Sequence, residues 1–457
     1  MKPWNVVYLH THDSGNLFSP YGYQVPTPEI ESFARDAVVF RNAFCAAPTC
    51  SPSRAALLTG RYPHSAGMLG LCNRGFKLHD YREHLVTWLK QEGYHTVLSG
   101  IQHEASHFAA PGEGAAIIGY DENITTDNYL KAMADRRDWD TENTANTCQW
   151  LAGYDGKQPF FLSMGYFCTH RPYPENSQGL NRFVRSPPMY PDEPEIRDDF
   201  ARHCLALEHA DRCIGKVIDA LKEHGYYENS IIIVTTDHGI AFPFAKSFLY
   251  DAGIAVALLM RVPDCLLQGS LNEHLVSQVD LVPTLCELLE IPTPSGCQGI
   301  SFADYFTPQG NETAKRTHIF AEMNFHTSYE PARCIRTRRY KYLEYLDESY
   351  DGQNLSNVNQ SPTKSWYLAQ GLKERKKVRQ SLFDLAYDPL EKHNVAEEAD
   401  YQDVRAELKA LLTEWQVRTG DPLLAGSITW EKDWIVNKKT SEIPGSQNPE
   451  DYEQGYL

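Results

Sequence analysis

The chain has no apolar run long enough to span a membrane: nothing in its 457 residues approaches the ~18 that a membrane helix needs. It also lacks an excess of positive charge. With 43 Lys+Arg against 60 Asp+Glu the formal net charge is -17, which excludes a general binder of nucleic acid or anionic membrane. Any anionic substrate must therefore be held by cations gathered locally. Eleven cysteines are present, an odd number without the regular spacing of a disulfide framework. In a chain of this length that pattern reads as free thiols in a reducing compartment. The N-terminus runs from Met1-Lys2-Pro3 straight into an apparent strand with no signal-peptide apolar region. The expectation is a cytoplasmic protein with no membrane and no nucleic-acid partner.

What is present is an alternation of short apolar runs and amphipathic stretches. Strands are expected at residues 5–9, 38–44, 95–99, 159–166, 230–234 and 255–261, and helices at 27–37, 81–93 and 277–289. Leu207, Ala210, Ile214, Val217 and Leu221 fall three and four apart, one apolar helix face feeding the strand at 230. Helices leading into β-branched runs predict βαβ units and a mostly parallel sheet. The proline- and acid-rich stretch up to about 198 reads as a long irregular loop over a site. From about 317 the texture changes to short strands at 318–321, 333–337, 340–345 and 381–384, then a helix at 404–416. We therefore expect a main domain over 1–310 and a smaller antiparallel subdomain over 311–457. The polar segment 347–377 interrupts those strands, and the tail from 429 wraps the domain or mediates a homodimer.

The chemistry gathers in Thr49-Cys50-Ser51-Pro52-Ser53-Arg54, followed by Leu57-Leu58-Thr59-Gly60-Arg61. Pro52 suits a first helical turn and Gly60 a helix end. Cys50 thus sits near a helix N-terminus, which favours negative charge, and Arg54 and Arg61 add guanidinium groups suited to sulfate or phosphate. On physics alone this is equally a low-pKa thiolate.

The stretch resembles the signature of the type I, formylglycine-dependent sulfatases, in its heparan N-sulfatase-like branch. That resemblance implies that Cys50 is oxidised to formylglycine by a formylglycine-generating or radical maturation enzyme. It further implies an alkaline-phosphatase-like α/β sandwich with a large, mostly parallel central sheet and the smaller C-terminal antiparallel subdomain. His12-Asp13 matches the family's metal-binding pair, with a histidine in place of its first aspartate, and Asp237-His238-Gly239 matches the second pair. His12, Asp13, Asp237 and His238, with the modified Cys50, are expected to surround one divalent ion. Calcium is the family's usual metal; the two imidazoles shift preference toward manganese or zinc.

The same resemblance assigns Lys246, His170 and Arg54 to the sulfuryl group, with His170 also protonating the leaving group and His103 taking a proton from the nucleophile's second oxygen. Where the family carries a lysine before that histidine, this chain has Ile101, so a neighbour such as Arg61, His64, His107 or Arg171 must supply the charge, or turnover is reduced. In the subdomain, Glu322, His326, Arg333 and Arg336 form a polar cluster. Arg61, His326 and Arg333 are expected to contact the sulfated saccharide. The implied activity is hydrolysis of a sulfate ester or sulfamate of a glycosaminoglycan-type sugar. The alternatives are a phosphonate monoester or phosphodiester hydrolase of the same superfamily, or a catalytically weakened sugar-binding relative.

Overall fold

A computed structural model describes residues 4–106, 111–127 and 135–455. Its centre is an eight-stranded sheet in the order β4-β3-β5-β1-β6-β7-β2-β8. The strands are β1 (Asn5–Thr11), β2 (Val38–Phe44), β3 (His95–Gly100), β4 (Glu122–Asn123), β5 (Phe160–Tyr166), β6 (Ser230–Thr236), β7 (Leu258–Arg261) and β8 (Leu271–Ser277). Among them β7 alone runs antiparallel. Every residue of β1, β5 and β6 is buried, as expected for strands covered on both faces. Alternation does the sorting: Val7 and Leu9 enter one core with the helices Arg136–Gly153 and Pro194–Glu223. Val6 and Tyr8 enter another with Leu57, Leu85 and Leu285.

Beside it lies a four-stranded antiparallel sheet, β12-β11-β10-β9. Its strands are β9 (His318–Phe325), β10 (Tyr329–Thr337), β11 (Tyr340–Tyr345) and β12 (Gln380–Asp384). The helix Gln402–Thr419 covers one face, Trp415 stacking on Phe320 at 4.9 Å between centroids. The two sheets are stitched together at the site, where Glu322 N–H donates to the Ala46 carbonyl at 2.8 Å. A short pair, β13 (Val436–Asn437) and β14 (Tyr452–Gln454), belongs to a tail that packs back on the body, with Trp434 stacked on Phe76 at 4.2 Å.

Several elements differ from expectation. β8 and the helix Arg136–Gly153 are not among those expected. The strand expected over 255–261 begins at Leu258, and the helix expected over 81–93 is a 3-10 turn, Tyr81–Glu83, followed by the helix Leu85–Gln91. The stretch read as loop up to 198 ends earlier, because Pro194 occupies the first turn of a 30-residue helix; Pro191, Asp192 and Glu193 before it masked that start. The helix expected from 277 begins at Leu281, since Ser277 closes β8 and forms a capping box with Asp280. Segment 347–377 is not merely polar connection: it contains the helix Pro362–Ala369. No helix among the described residues is long and apolar enough to cross a membrane.

Candidate active site

Strand register brings the chemistry together. Thr11 of β1 lies beside Thr236 of β6 on one side and Tyr166 of β5 on the other, and Gly100 of β3 lies beside Gly165 of β5. Residues 12–13, 237–238, 167–170 and 101–103 therefore leave the sheet at one edge, where parallel α/β sheets collect ligands. Gly239 is required after His238 because a side-chain carbon there would run into the Ala252 carbonyl.

Cys50 opens the helix Cys50–Thr59, every residue of which is buried, and Gly60 ends it at φ 66. Pro52 sits in the first turn, where the N–H groups have no intrahelical acceptor to lose. Cys50 Sγ lies 3.3 Å from His238 Nε2 and 3.9 Å from Asp13 Oδ1. Burial pushes its thiol up, and Lys246 and Arg54 offset this only in part. The unmodified residue is thus a neutral thiol, not the low-pKa thiolate that the sequence leaves open.

Two carboxylates face two permanent cations here. Lys246 Nζ donates to both oxygens of Asp13, at 2.8 and 3.0 Å. Arg54 donates through Nε and Nη2 to Asp237 Oδ2 at 3.3 and 3.2 Å, while Nη1 lies 2.8 Å from His10 Nδ1. The other Asp237 oxygen accepts the N–H groups of Asp13 and His238, each at 2.9 Å. Burial raises the Asp13 carboxyl, but Lys246, His170 and His238 overcome it; for Asp237 burial is likewise overcome by His238 and Arg54. Both stay ionised, held below the usual carboxylate range. Burial opposes the Lys246 ammonium, yet Asp13 holds it above its ordinary value.

The donor set fits a divalent cation. His12, Asp13, Cys50 and Asp237 offer ligand atoms within 4.8 Å of one another. His12 is buried with neither ring nitrogen hydrogen-bonded among the described residues, although Nδ1 stands 3.2 Å from Asp237 Oδ2. Burial and then Arg54 push its pKa down to about 4, so the ring is neutral and has a lone pair to give. His238 Nδ1 donates to the Gly239 carbonyl at 2.9 Å. That leaves its Nε2 lone pair aimed at Cys50 and, 3.4 Å away, at Asp13 Oδ1. The carboxylate oxygens suit calcium, and the imidazoles favour manganese or zinc.

Above the nucleophile is a pocket of about 290 Å3, lined by His12, Cys50, His103, His170, Lys246 and His326 among others. His170 Nε2 lies 4.0 Å from Asp13 Oδ2, and its Nδ1 donates to the Arg171 carbonyl at 2.7 Å. His103 Nε2 lies 3.4 Å from Asn73 Oδ1. His326 Nδ1 has no hydrogen-bond partner among the described residues. Ile101 lines the same pocket, so the position of the family lysine is apolar.

Not every expected residue arrives. Arg61 pairs with Glu83, and Arg333 is fully buried against Asp421, with Nε at 2.7 Å and Nη2 at 2.9 Å. Neither lines the pocket, and a guanidinium sealed by its own carboxylate has no face for a sugar. His64 is turned to Glu322, Arg336 to Asp251 and Arg171 bidentately to Asp199; His107 lies outside the described residues. Instead, Arg74 and Arg136 line the pocket. The Arg136 guanidinium lies 4.4 Å over the Phe167 ring. Arg74 donates to Asn437 Oδ1 at 2.9 Å and to the Ile435 and Pro444 carbonyls, so it fastens the tail whose Pro444 and Gly445 wall the pocket. No local motif marks these two. Arg136 stands in a run of charged residues, Arg136-Arg137-Asp138, that carries no site signature.

Comparison with known proteins agrees with this geometry. The family described as Sulfatase matches residues 5–291, and that described as N-sulphoglucosamine sulphohydrolase, C-terminal, matches 237–376. The chain is 27% identical to the human N-sulphoglucosamine sulphohydrolase, over 92% of this chain and 91% of that one. Its fold is similar to a solved structure in complex with its substrate D-glucosamine-2-N,6-O-disulfate, with a TM-score of 0.70, 19% identity, and 92% and 99% of the two chains covered. It is also similar to a phosphonate monoester hydrolase of Agrobacterium radiobacter, with a TM-score of 0.66, 19% identity, and 94% and 98% covered. With a buried cysteine at a helix start, flanked by two strand-end carboxylates and their cations, the chain belongs to the sulfatase family, in its N-sulphoglucosamine sulphohydrolase-like branch, and is a sulfuric ester hydrolase.

Proposed function

We propose that the protein hydrolyses a sulfate ester or sulfamate on a glycosaminoglycan-type sugar, using residue 50 as formylglycine and one divalent cation, calcium in first place. The observation that carries this is the Cys50 side chain set beside Asp13, Asp237, His238 and Lys246 under a pocket of single-sugar scale. The human relative named for a sulfated glucosamine and the glucosamine disulfate of the structural neighbour support the sugar class. His12, Asp13, Asp237 and His238 would hold the cation, which polarises a sulfate oxygen and favours a deprotonated nucleophile when bound.

The chain's own residues do the rest. Lys246, in the pocket wall, sets fixed positive charge where the transferring sulfuryl group gathers negative charge, and Arg54, buried against Asp237 and outside the pocket lining, adds to the field there. His170, whose Nδ1 is committed to a carbonyl, exchanges a proton through Nε2 with the leaving oxygen or nitrogen. Burial holds its pKa well below the ordinary value; an incoming sulfate brings negative charge that favours the protonated ring. His103, in the same pocket, accepts the proton released as residue 50 is restored. His326, Arg74 and Arg136 contact the sugar. The phosphonate reading is kept because an enzyme of that activity shares the fold.

The test is co-expression with a maturation enzyme, peptide mass analysis at residue 50, and sulfate release from defined sulfated saccharides. We expect a thiol-to-aldehyde mass change and release that Cys50→Ala abolishes. An unmodified thiol under those conditions, or turnover of an aryl phosphonate far above that of an aryl sulfate, sinks the proposal; hydrolysis that depends on Cys50 rules out the weakened sugar-binding reading.

A further inference from the structure

A second cavity, of about 660 Å3, shares no lining residue with the reaction pocket. Its size falls within the about 300–1,000 Å3 of small-molecule sites. Its wall nevertheless includes Gly15 and Phe244, each two residues from a reacting-site group, Asp13 and Lys246. Six aromatic rings line it: Tyr23, Phe44, Phe244, Tyr250, Trp366 and Tyr367.

The cavity is locally positive in a chain whose net charge is -17. Its two acids are already matched: Asp251 binds Arg336 at 3.1 Å and Lys341 at 2.9 Å, and Glu391 lies 2.8 Å from Lys341. Three further lining cations are weakly paired or unpaired among the described residues, Lys392 having Asp388 and Glu391 as charged neighbours. Arg375 has no ion pair among the described residues, Lys392 donates to the neutral Met189 carbonyl at 2.8 Å, and Arg41 has only a half-exposed contact with Glu273 at 3.8 Å. Asn16 and Gln370 add amide groups that pair with hydroxyls.

We propose that this cavity binds an acidic oligosaccharide. Aromatic faces cover the C–H surfaces of sugar rings, and guanidinium forks take carboxylate or sulfate groups. A saccharide chain held there sits apart from the residue being hydrolysed, and binding there does not depend on maturation of Cys50.

The decisive measurement is calorimetric titration of the unmatured Cys50→Ala chain with a heparin-derived hexasaccharide at low and high NaCl. We expect binding that weakens with salt. The Arg41→Ser/Arg375→Ser double variant, altered only at exposed positions, should bind about tenfold more weakly, the loss expected for two such charges. Trp366→Ala should weaken binding too, whereas His170→Ala should keep it. The double variant's folding is checked by its melting temperature, and once matured it should turn over a monosaccharide sulfate like the parent. Equal hexasaccharide affinity in the double variant and the parent overturns the proposal, as does loss of binding on His170→Ala. Tight binding of ATP with no binding of the hexasaccharide overturns it in favour of a nucleotide.

Discussion

Asp140 never reaches the reaction pocket, yet it holds the turn that carries His170. Its carboxylate accepts the Phe167 N–H at 2.9 and 3.0 Å and the Cys168 N–H at 2.8 Å. One residue on, Thr169 Oγ1 accepts the His12 N–H at 3.1 Å. Burial lifts the Asp140 carboxyl to about 7 against these donors. Asp140→Asn turns an amide donor toward one of the N–H groups and loosens the turn. We expect kcat on a saccharide substrate to fall about tenfold or more, because a small misplacement of a catalytic group is enough for that. An aryl sulfate with a good leaving group should lose much less, since it needs no proton from His170; equal losses on the two substrates would contradict the assignment. At the sugar end, His326→Ala should raise KM several-fold with little change in kcat, read from steady-state kinetics.

At the scale of elements, Arg333 shows how a residue type misleads when its partner is remote. In sequence it sits in a polar cluster with His326. In the fold it belongs to β10 and reaches Asp421, beyond the end of the helix Gln402–Thr419. Burial opposes the Asp421 charge, but Arg333 wins and brings its pKa from 3.8 down to about 2. A depressed carboxyl stabilises the fold above its unfolded pKa, and that share, about 2 kcal/mol, is lost as pH falls from about 4 to about 2. Asp421→Asn should therefore flatten the stability–pH curve in that window, measured by denaturant unfolding. Arg333→Ala, which strands a buried carboxylate, should cost about 3–5 kcal/mol of stability at neutral pH.

At the scale of the whole molecule, the buried charges of the site are balanced only when segments far apart in the chain are in place, Asp13 against Lys246 and Asp237 against Arg54. Chelation should lower both hydrolysis and the melting temperature, and calcium should restore both; a site filled at about one hundred times its Kd adds about 2.7 kcal/mol. A melting temperature indifferent to chelator and to added calcium, manganese or zinc would argue against the cation site. Removing residues 429–457 should raise KM and lower the melting temperature. The truncation takes away Pro444 and Gly445 from the pocket wall and leaves Arg74, Phe76 and Phe325 without Asn437 and Trp434.

By itself, the sequence determined what local pattern can encode. Apolar runs located β1, β2, β3, β5 and β6, whose burial on both faces leaves little latitude in composition, and the Cys50 stretch and the Asp237-His238-Gly239 turn announced a site at their ends. The four short strands near the C-terminus were legible for the same reason, as was the start of the closing helix to within two residues. Lys246 was assigned to the site from the sequence, but only the tertiary structure decided which arginines face the pocket. Arg61, Arg333 and Arg171 are consumed by Glu83, Asp421 and Asp199, while Arg74 and Arg136 are brought in by the tail and by the turn at Phe167. A guanidinium looks the same in sequence whether its counterion is a substrate or a carboxylate 88 residues away. Which of the two it meets depends on long-range packing and charge pairing, and no local spacing encodes that.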